Sequence, residues 1–166
     1  MTISAEKASS EEIAVLFVDD EPDMRRAVKR FLAKSDFGVL TAGSADEALE
    51  ILRRRQIGVL VADIKLPGMD GLSLLEKVRH LHPDTVRVVF SADVPGGQLQ
   101  EWIDRGRIFR FISKPVDLPE FRRTLDGAVA HYLARRHPPI HPAPSSGRAE
   151  NASPTGETGG DCAGTI

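Results

Sequence analysis

Asp19-Asp20, Asp63, Ser91 and Lys114 all stand where short apolar runs give way to polar residues. Ala14-Val15-Leu16-Phe17-Val18 leads into the acid pair, Val59-Leu60-Val61-Ala62 into Asp63, and Val88-Val89-Phe90 into Ser91, while Lys114 follows Phe111-Ile112-Ser113. Adjacent parallel strands lie about 4.8 Å apart, so carboxylates at neighbouring strand ends converge within reach of one ion. Like charges that close need a cation. A hard divalent ion meets the need, and Mg2+ typically takes one or two carboxylates together with phosphate oxygens, leaving room for water or a backbone carbonyl. Lys114 adds a fixed positive charge and Ser91 a hydroxyl. The set suits a phosphoryl group, whose transfer depends on positioning and on neutralising its equatorial oxygens. A carboxylate such as Asp63 can itself be the nucleophile, yielding an acyl phosphate.

The elements that must bring these ends together are legible in the hydrophobic pattern. Between Ile13 and about Arg136, short β-branched runs alternate with helix-periodic segments, the signature of βαβ units around a parallel sheet. Ile13–Val18, Val39–Thr41, Gly58–Ala62, Val86–Phe90 and Ile108–Ile112 read as strands, with continuously apolar stretches as expected when helices cover both faces. Helices are expected from Pro22, after the N-cap Ser44, from near Asp70 to Leu81, around Leu99, Trp102 and Ile103, and after Asp117. Asp117 with Glu120 is read as a capping pair, and Trp102 as packing at the core edge. The fold class is α/β, a doubly wound five-stranded parallel sheet with helices on both faces. Ligands in such sheets collect outside the carboxyl ends of the strands, where the acids fall.

Composition narrows the function classes. The chain has 166 residues, 41% hydrophobic and 28% charged, with a formal charge of −2 and a single cysteine, Cys162. That balance suits one globular domain with a proper core. Lys and Arg are dispersed, so direct nucleic-acid binding is not expected. One cysteine permits no internal disulfide, no basic and apolar leader opens the chain, and no run approaches the roughly 20 apolar residues of a membrane span. A cytoplasmic location is expected, with no membrane partner. Residues 1–12 are expected to form a flexible N-terminus, 13–136 the folded domain, and 137–166 a disordered Pro- and Gly-rich tail, with no attached output domain.

Asp19-Asp20, Asp63 within Asp-Ile-Lys-Leu-Pro-Gly-Met-Asp-Gly, Ser91-Ala92 and Lys114-Pro115 together resemble the receiver domain of bacterial response regulators, over about residues 13 to 136. The resemblance implies a flavodoxin-like receiver fold and a two-component phosphorelay. Asp63 would accept the phosphoryl group from a histidine kinase or a His-phosphotransfer protein. Asp20 would bind Mg2+ directly with Asp19 assisting, alongside Asp63 and the Lys65 backbone carbonyl. Ser91 and Lys114 would grip phosphate oxygens, and the Lys114-Pro115 bond would be cis. Ser91 would be coupled to the aromatic residue three positions before the lysine, here Phe111, where many relatives have tyrosine. Lys65 and Asp93 would flank the pocket and tune the lifetime of the phosphoryl group. Output would pass to a separate protein through the helix 4, strand 5 and helix 5 face. The segment 108–115 is similar to receivers attached to cyclic-di-GMP phosphodiesterase domains or to hydrogenase transcription activators.

Taken singly, these residues have plainer readings: an Asp pair in a loop is usually a cap or a solvated turn, Pro67-Gly68 says only turn, and the Arg25, Arg26, Lys29 and Arg30 face is most simply solvated. His131, His137 and His141 lack metal-ligand spacing. A phosphate sink without a dedicated target is an alternative within the family. A Mg2+-dependent aspartyl-phosphate hydrolase is another, but haloacid-dehalogenase-like enzymes carry a second acid two residues after the nucleophile, where this chain has Lys65. The expectation is a regulator that promotes only its own phosphorylation and dephosphorylation, not an enzyme.

Overall fold

Side chains alternate between the two faces of a strand, and both faces here are covered. In β1 (Ala14–Val18), Val15 and Phe17 enter one core while Leu16 and Val18 enter the other. The computed structural model describes residues 12–93 and 96–137, so most of the expected N-terminal stretch and the tail from 138 onward lie outside the described residues.

The remaining strands are β2 (Gly38–Ala42), β3 (Val59–Ala62), β4 (Val86–Ser91) and β5 (Arg110–Ser113). They pair in parallel in the order β2-β1-β3-β4-β5. Between them run α1 (Pro22–Phe31), α2 (Ala45–Arg54), α3 (Gly71–Leu81) and α4 (Gln98–Asp104), and α5 (Leu118–Arg136) closes the domain. One core joins Val28 of α1 and Phe121, Leu125, Ala128 and Tyr132 of α5 to Phe17, Val61, Val88 and Phe90. The other joins Ala45, Ala48 and Leu52 of α2 and Leu74, Leu75 and Val78 of α3 to Leu16, Leu60 and Val89, with Trp102 packed at its margin. The doubly wound α/β architecture expected from the pattern is the one observed.

Local chemistry sets most of the boundaries. Ser44 Oγ accepts the Glu47 amide at 3.2 Å and Glu47 Oε2 accepts the Gly43 amide at 2.7 Å, a reciprocal cap for α2. Asp70 Oδ1 accepts the Ser73 amide at 2.7 Å and starts α3. Two expectations are corrected. Asp117 occupies the N-cap of α5, but its side chain makes no capping hydrogen bond. Pro119 at the second helical position has no N–H, which removes one of the two amides such a cap would take. β5 starts at Arg110 rather than Ile108, because the Arg107 and Ile108 amides both turn back onto the Trp102 carbonyl, at 2.8 and 3.3 Å, and close the loop after α4.

Arg87 breaks the apolar pattern of β4 yet is buried, 7% exposed. Its guanidinium donates to the carbonyls of Arg107 (2.9 Å), Thr85 (2.9 Å) and Gly106 (3.2 Å), tying the α4–β5 loop to the sheet. Burial pulls its pKa down from the ordinary arginine value.

Candidate functional site

The carboxyl ends of β1, β3 and β5 deliver Asp19, Asp63 and Lys114 to one place. Ladder continuity sets this: the Asp63 amide donates to the Val18 carbonyl at 3.0 Å, the Asp19 amide to Ala42 at 3.1 Å, and the Lys114 amide to Ser91 at 3.0 Å. The Lys114-Pro115 bond is cis.

Lys114 Nζ donates to Asp19 Oδ2 at 2.9 Å and to Asp63 Oδ2 at 2.8 Å. Asp19 is fully buried and Asp63 is 6% exposed. The other Asp19 oxygen accepts the Glu21 amide at 2.9 Å, and Asp63 Oδ1 accepts the Lys65 amide at 3.1 Å. Burial pulls the Lys114 ammonium down, but the hydrogen bonds it donates to Asp63 and Asp19 more than offset this, and its pKa stands above the ordinary lysine value.

Asp20 completes the cluster. Ligand atoms of Asp19, Asp20 and Asp63 lie within 4.8 Å of one another, and Asp20 is exposed. Three carboxylates against one ammonium leave two negative charges uncompensated, the charge of one divalent ion. An all-oxygen, partly open cluster of this kind fits Mg2+. Both Asp19 oxygens are already engaged, whereas the Asp20 carboxylate has no hydrogen-bond or ion-pair partner among the described residues.

The residue range 15–126 matches the family described as response regulator receiver domain. The chain belongs to that family. This receiver is 36% identical over 107 residues to the hydrogenase transcriptional regulatory protein HoxA of Cupriavidus necator, covering 64% of this chain and 22% of that protein. It is 33% identical over 141 residues to the response regulator protein PilR of Pseudomonas aeruginosa, covering 84% of this chain and 30% of that one. The chain thus spans between a fifth and a third of the length of these curated relatives. Among solved structures, the signal receiver domain of an HD domain-containing protein from Pseudomonas fluorescens superposes with a TM-score of 0.70 at 27% identity, covering 76% of this chain and 93% of that one. The response regulator TrrA of Thermotoga maritima, solved in complex with Mg2+ and BeF, shares the fold with a TM-score of 0.61 at 22% identity, covering 70% of this chain and 98% of that one.

Of the other residues named from the sequence, Ser91, Lys65 and Asp93 follow to the same end of the sheet, while Phe111 lies within β5. Ser91 is buried as the last residue of β4, its hydroxyl donating to the Asp93 carbonyl at a long 3.4 Å. Lys65 and Asp93 form an ion pair across two exposed side chains. Their hydrogen bond raises the Lys65 pKa and lowers that of Asp93. Phe111 pairs in register with Val89 and is half-buried against the core that also takes Leu99, Trp102 and Ile103. His131 stacks against Phe109, with ring centroids 5.0 Å apart, and takes no part in the acid cluster. His141 lies outside the described residues.

Three supporting residues carried no assigned role in the sequence. Arg25, counted there in a solvated face, donates from Nη1 to the Asp19 carbonyl at 2.6 Å and braces the loop that holds the acid pair. Gly71 lies directly under Asp63, and Phe90 lies under Lys114. Gly71 was visible as the end of a turn motif, but the contact that demands glycine was not. No helix among the described residues is long and apolar enough to cross a membrane.

Proposed function

We propose that this receiver is a phosphorylation-activated switch in a two-component phosphorelay, with Asp63 taking a phosphoryl group from a histidine kinase or His-phosphotransfer protein. The observation that supports it best is the single ammonium of Lys114 shared between Asp63 and buried Asp19, beside the open carboxylate of Asp20. An Asp63 carboxylate oxygen forms the new P–O bond as the donor's P–N bond breaks, the electron pair leaving with the histidine nitrogen. Asp20, Asp63, the Lys65 carbonyl and, less directly, Asp19 would hold Mg2+, which when bound neutralises charge on the phosphoryl oxygens. Lys114 then exchanges its hydrogen bond with Asp63 for one to a phosphoryl oxygen.

Ser91 transmits the event. Among the described residues its hydroxyl is held only by the long bond to Asp93, so a phosphoryl oxygen is the better acceptor. As Ser91 turns toward the phosphoryl group, the ring of Phe111 follows, and the surface of α4, β5 and α5 changes for a separate protein partner. Phe111 lacks the hydroxyl of a tyrosine, so its signal is ring packing alone. Lys65 and Asp93 stand over the pocket and limit water access.

Incubation with Mg2+ and acetyl phosphate, followed by intact-mass measurement, tests the central step. The unmodified sequence is expected to gain one phosphoryl group and Asp63→Asn none. A gain in both, or in neither, overturns the reading.

A further inference from the structure

Lys114 rests on an aromatic ring. Its Nζ lies over the ring of Phe90, 4.9 Å from the centroid. Phe90 is fully buried, and two other rings hold it: Phe17 edge-on at 5.3 Å and 62°, and Phe121 at 5.8 Å and 57°. Phe17 and Phe121 also meet each other, at 6.3 Å and 89°. The Phe90 face therefore cannot turn from the ammonium without repacking three aromatic side chains.

We propose that Phe90 is a positioning residue for phosphoryl transfer, its π face holding the Lys114 ammonium in place while that ammonium changes partners from Asp63 to the phosphoryl group. The inference rests on the reading of Lys114 as a phosphate-gripping residue. Lysine is a point charge on a flexible four-carbon stem, and a divalent ion entering the acid cluster repels it. Phosphorylation then converts one of its two carboxylate partners into an acyl phosphate. The ring's negative face attracts the ammonium throughout these changes, because it carries no net charge to be neutralised by the metal and no lone pair for the metal to take. An aliphatic residue would bury the same lysine stem but leave its charge desolvated and unopposed from below. A carboxylate would trap the lysine or compete for the ion.

The test replaces Phe90 with mono-, di- and trifluorinated phenylalanine, which keep the ring's shape while weakening its negative face stepwise. Initial rates of Asp63 phosphorylation by acetyl phosphate at saturating Mg2+ are read by intact mass, in the native and Lys114→Met backgrounds, together with thermal midpoint and Mg2+ affinity. The rate is expected to fall in step with fluorination, by about three- to tenfold at the end of the series. Thermal midpoint and Mg2+ affinity should hold, and the series should be flat in Lys114→Met. Rates that stay level across the native series while Asp63 is phosphorylated normally overturn the role of Phe90 alone. The same decline in Lys114→Met overturns it too, since the ring would then act by packing. Undiminished phosphorylation of Lys114→Met itself removes both the inference and the reading beneath it.

Discussion

Gly71 sits so close beneath Asp63 that a β-carbon on it would stand 1.8 Å from the Asp63 carbonyl oxygen and 2.7 Å from the carbonyl carbon. The Gly71 amide also donates to the Ile64 carbonyl at 2.8 Å. The first residue of α3 thus packs against the Asp63 backbone with no room for a β-carbon and is hydrogen-bonded to the next residue, Ile64.

Gly71→Ala is therefore expected to be far more harmful than Gly68→Ala. Gly68 has φ 79° with open space around it, so alanine there meets only backbone strain of about 1 kcal/mol. Alanine at Gly71 must push backbone away from backbone, at a cost of about 3 kcal/mol. Urea unfolding of the two variants checks the order, and equal losses would contradict the contact.

Removing the shared ammonium leaves Asp19 and Asp63 facing each other in a largely buried site. Lys114→Met should lose about 2 kcal/mol or more at neutral pH, and Mg2+ should restore part of it. The sign with pH follows from the raised Lys114 pKa. Its contribution is fully present below the ordinary value of 10.5 and is lost as pH rises through the higher folded value. From neutral pH upward, unfolding curves for the native protein and the variant should thus converge only in strongly alkaline solution. Convergence near neutrality would count against the pairing.

Mg2+ at about a hundred times its dissociation constant stabilises a folded protein by about 2.7 kcal/mol. The native receiver should show a rise in thermal midpoint with Mg2+ that an equal ionic strength of potassium chloride does not produce. Asp20→Asn should lose most of that rise and be the more stable protein without Mg2+, because one of three crowded carboxylates is gone. An undiminished rise in the variant would take Asp20 out of the metal site.

The Lys65–Asp93 ion pair is exposed on both sides and is expected to matter for kinetics rather than stability. The phosphorylated native protein should outlast the phosphorylated Lys65→Ala, Asp93→Ala double variant, with the difference shrinking at high salt as the pair is screened. Decay at the same rate in both would remove the pair from the control of lifetime.

Arg87→Met keeps the stem of the side chain but strips three carbonyls of their donor. A stability loss of about 2 kcal/mol is expected, with amide exchange faster in the loop of residues 105–109. Unchanged exchange there would show that the loop holds itself.

Much of this receiver can be read without coordinates. The alternation of β-branched runs with helix-periodic segments depends only on neighbours along the chain, and so do the Ser44–Glu47 and Asp70 caps. That acids end β1 and β3, and a lysine follows β5, is likewise local. Because parallel strands bring like ends together, the acid cluster followed from that information alone. Misplaced boundaries had local causes that pattern does not carry, as with Pro119 removing a cap donor and the Trp102 carbonyl drawing two amides into the α4–β5 loop.

The amino-acid order by itself determined the sheet, the strand-end acids and the identity of the candidate acceptor, since each follows from residue type and spacing. Only the tertiary structure decided which atoms share the Lys114 ammonium, why position 71 admits no side chain, that Arg25 braces the Asp19 carbonyl, and that Phe90 underlies the lysine. The physical reason is range. Pattern encodes which face a residue occupies, whereas these contacts depend on ångström-scale approaches between segments distant in the chain, set by how the strands and helices pack together.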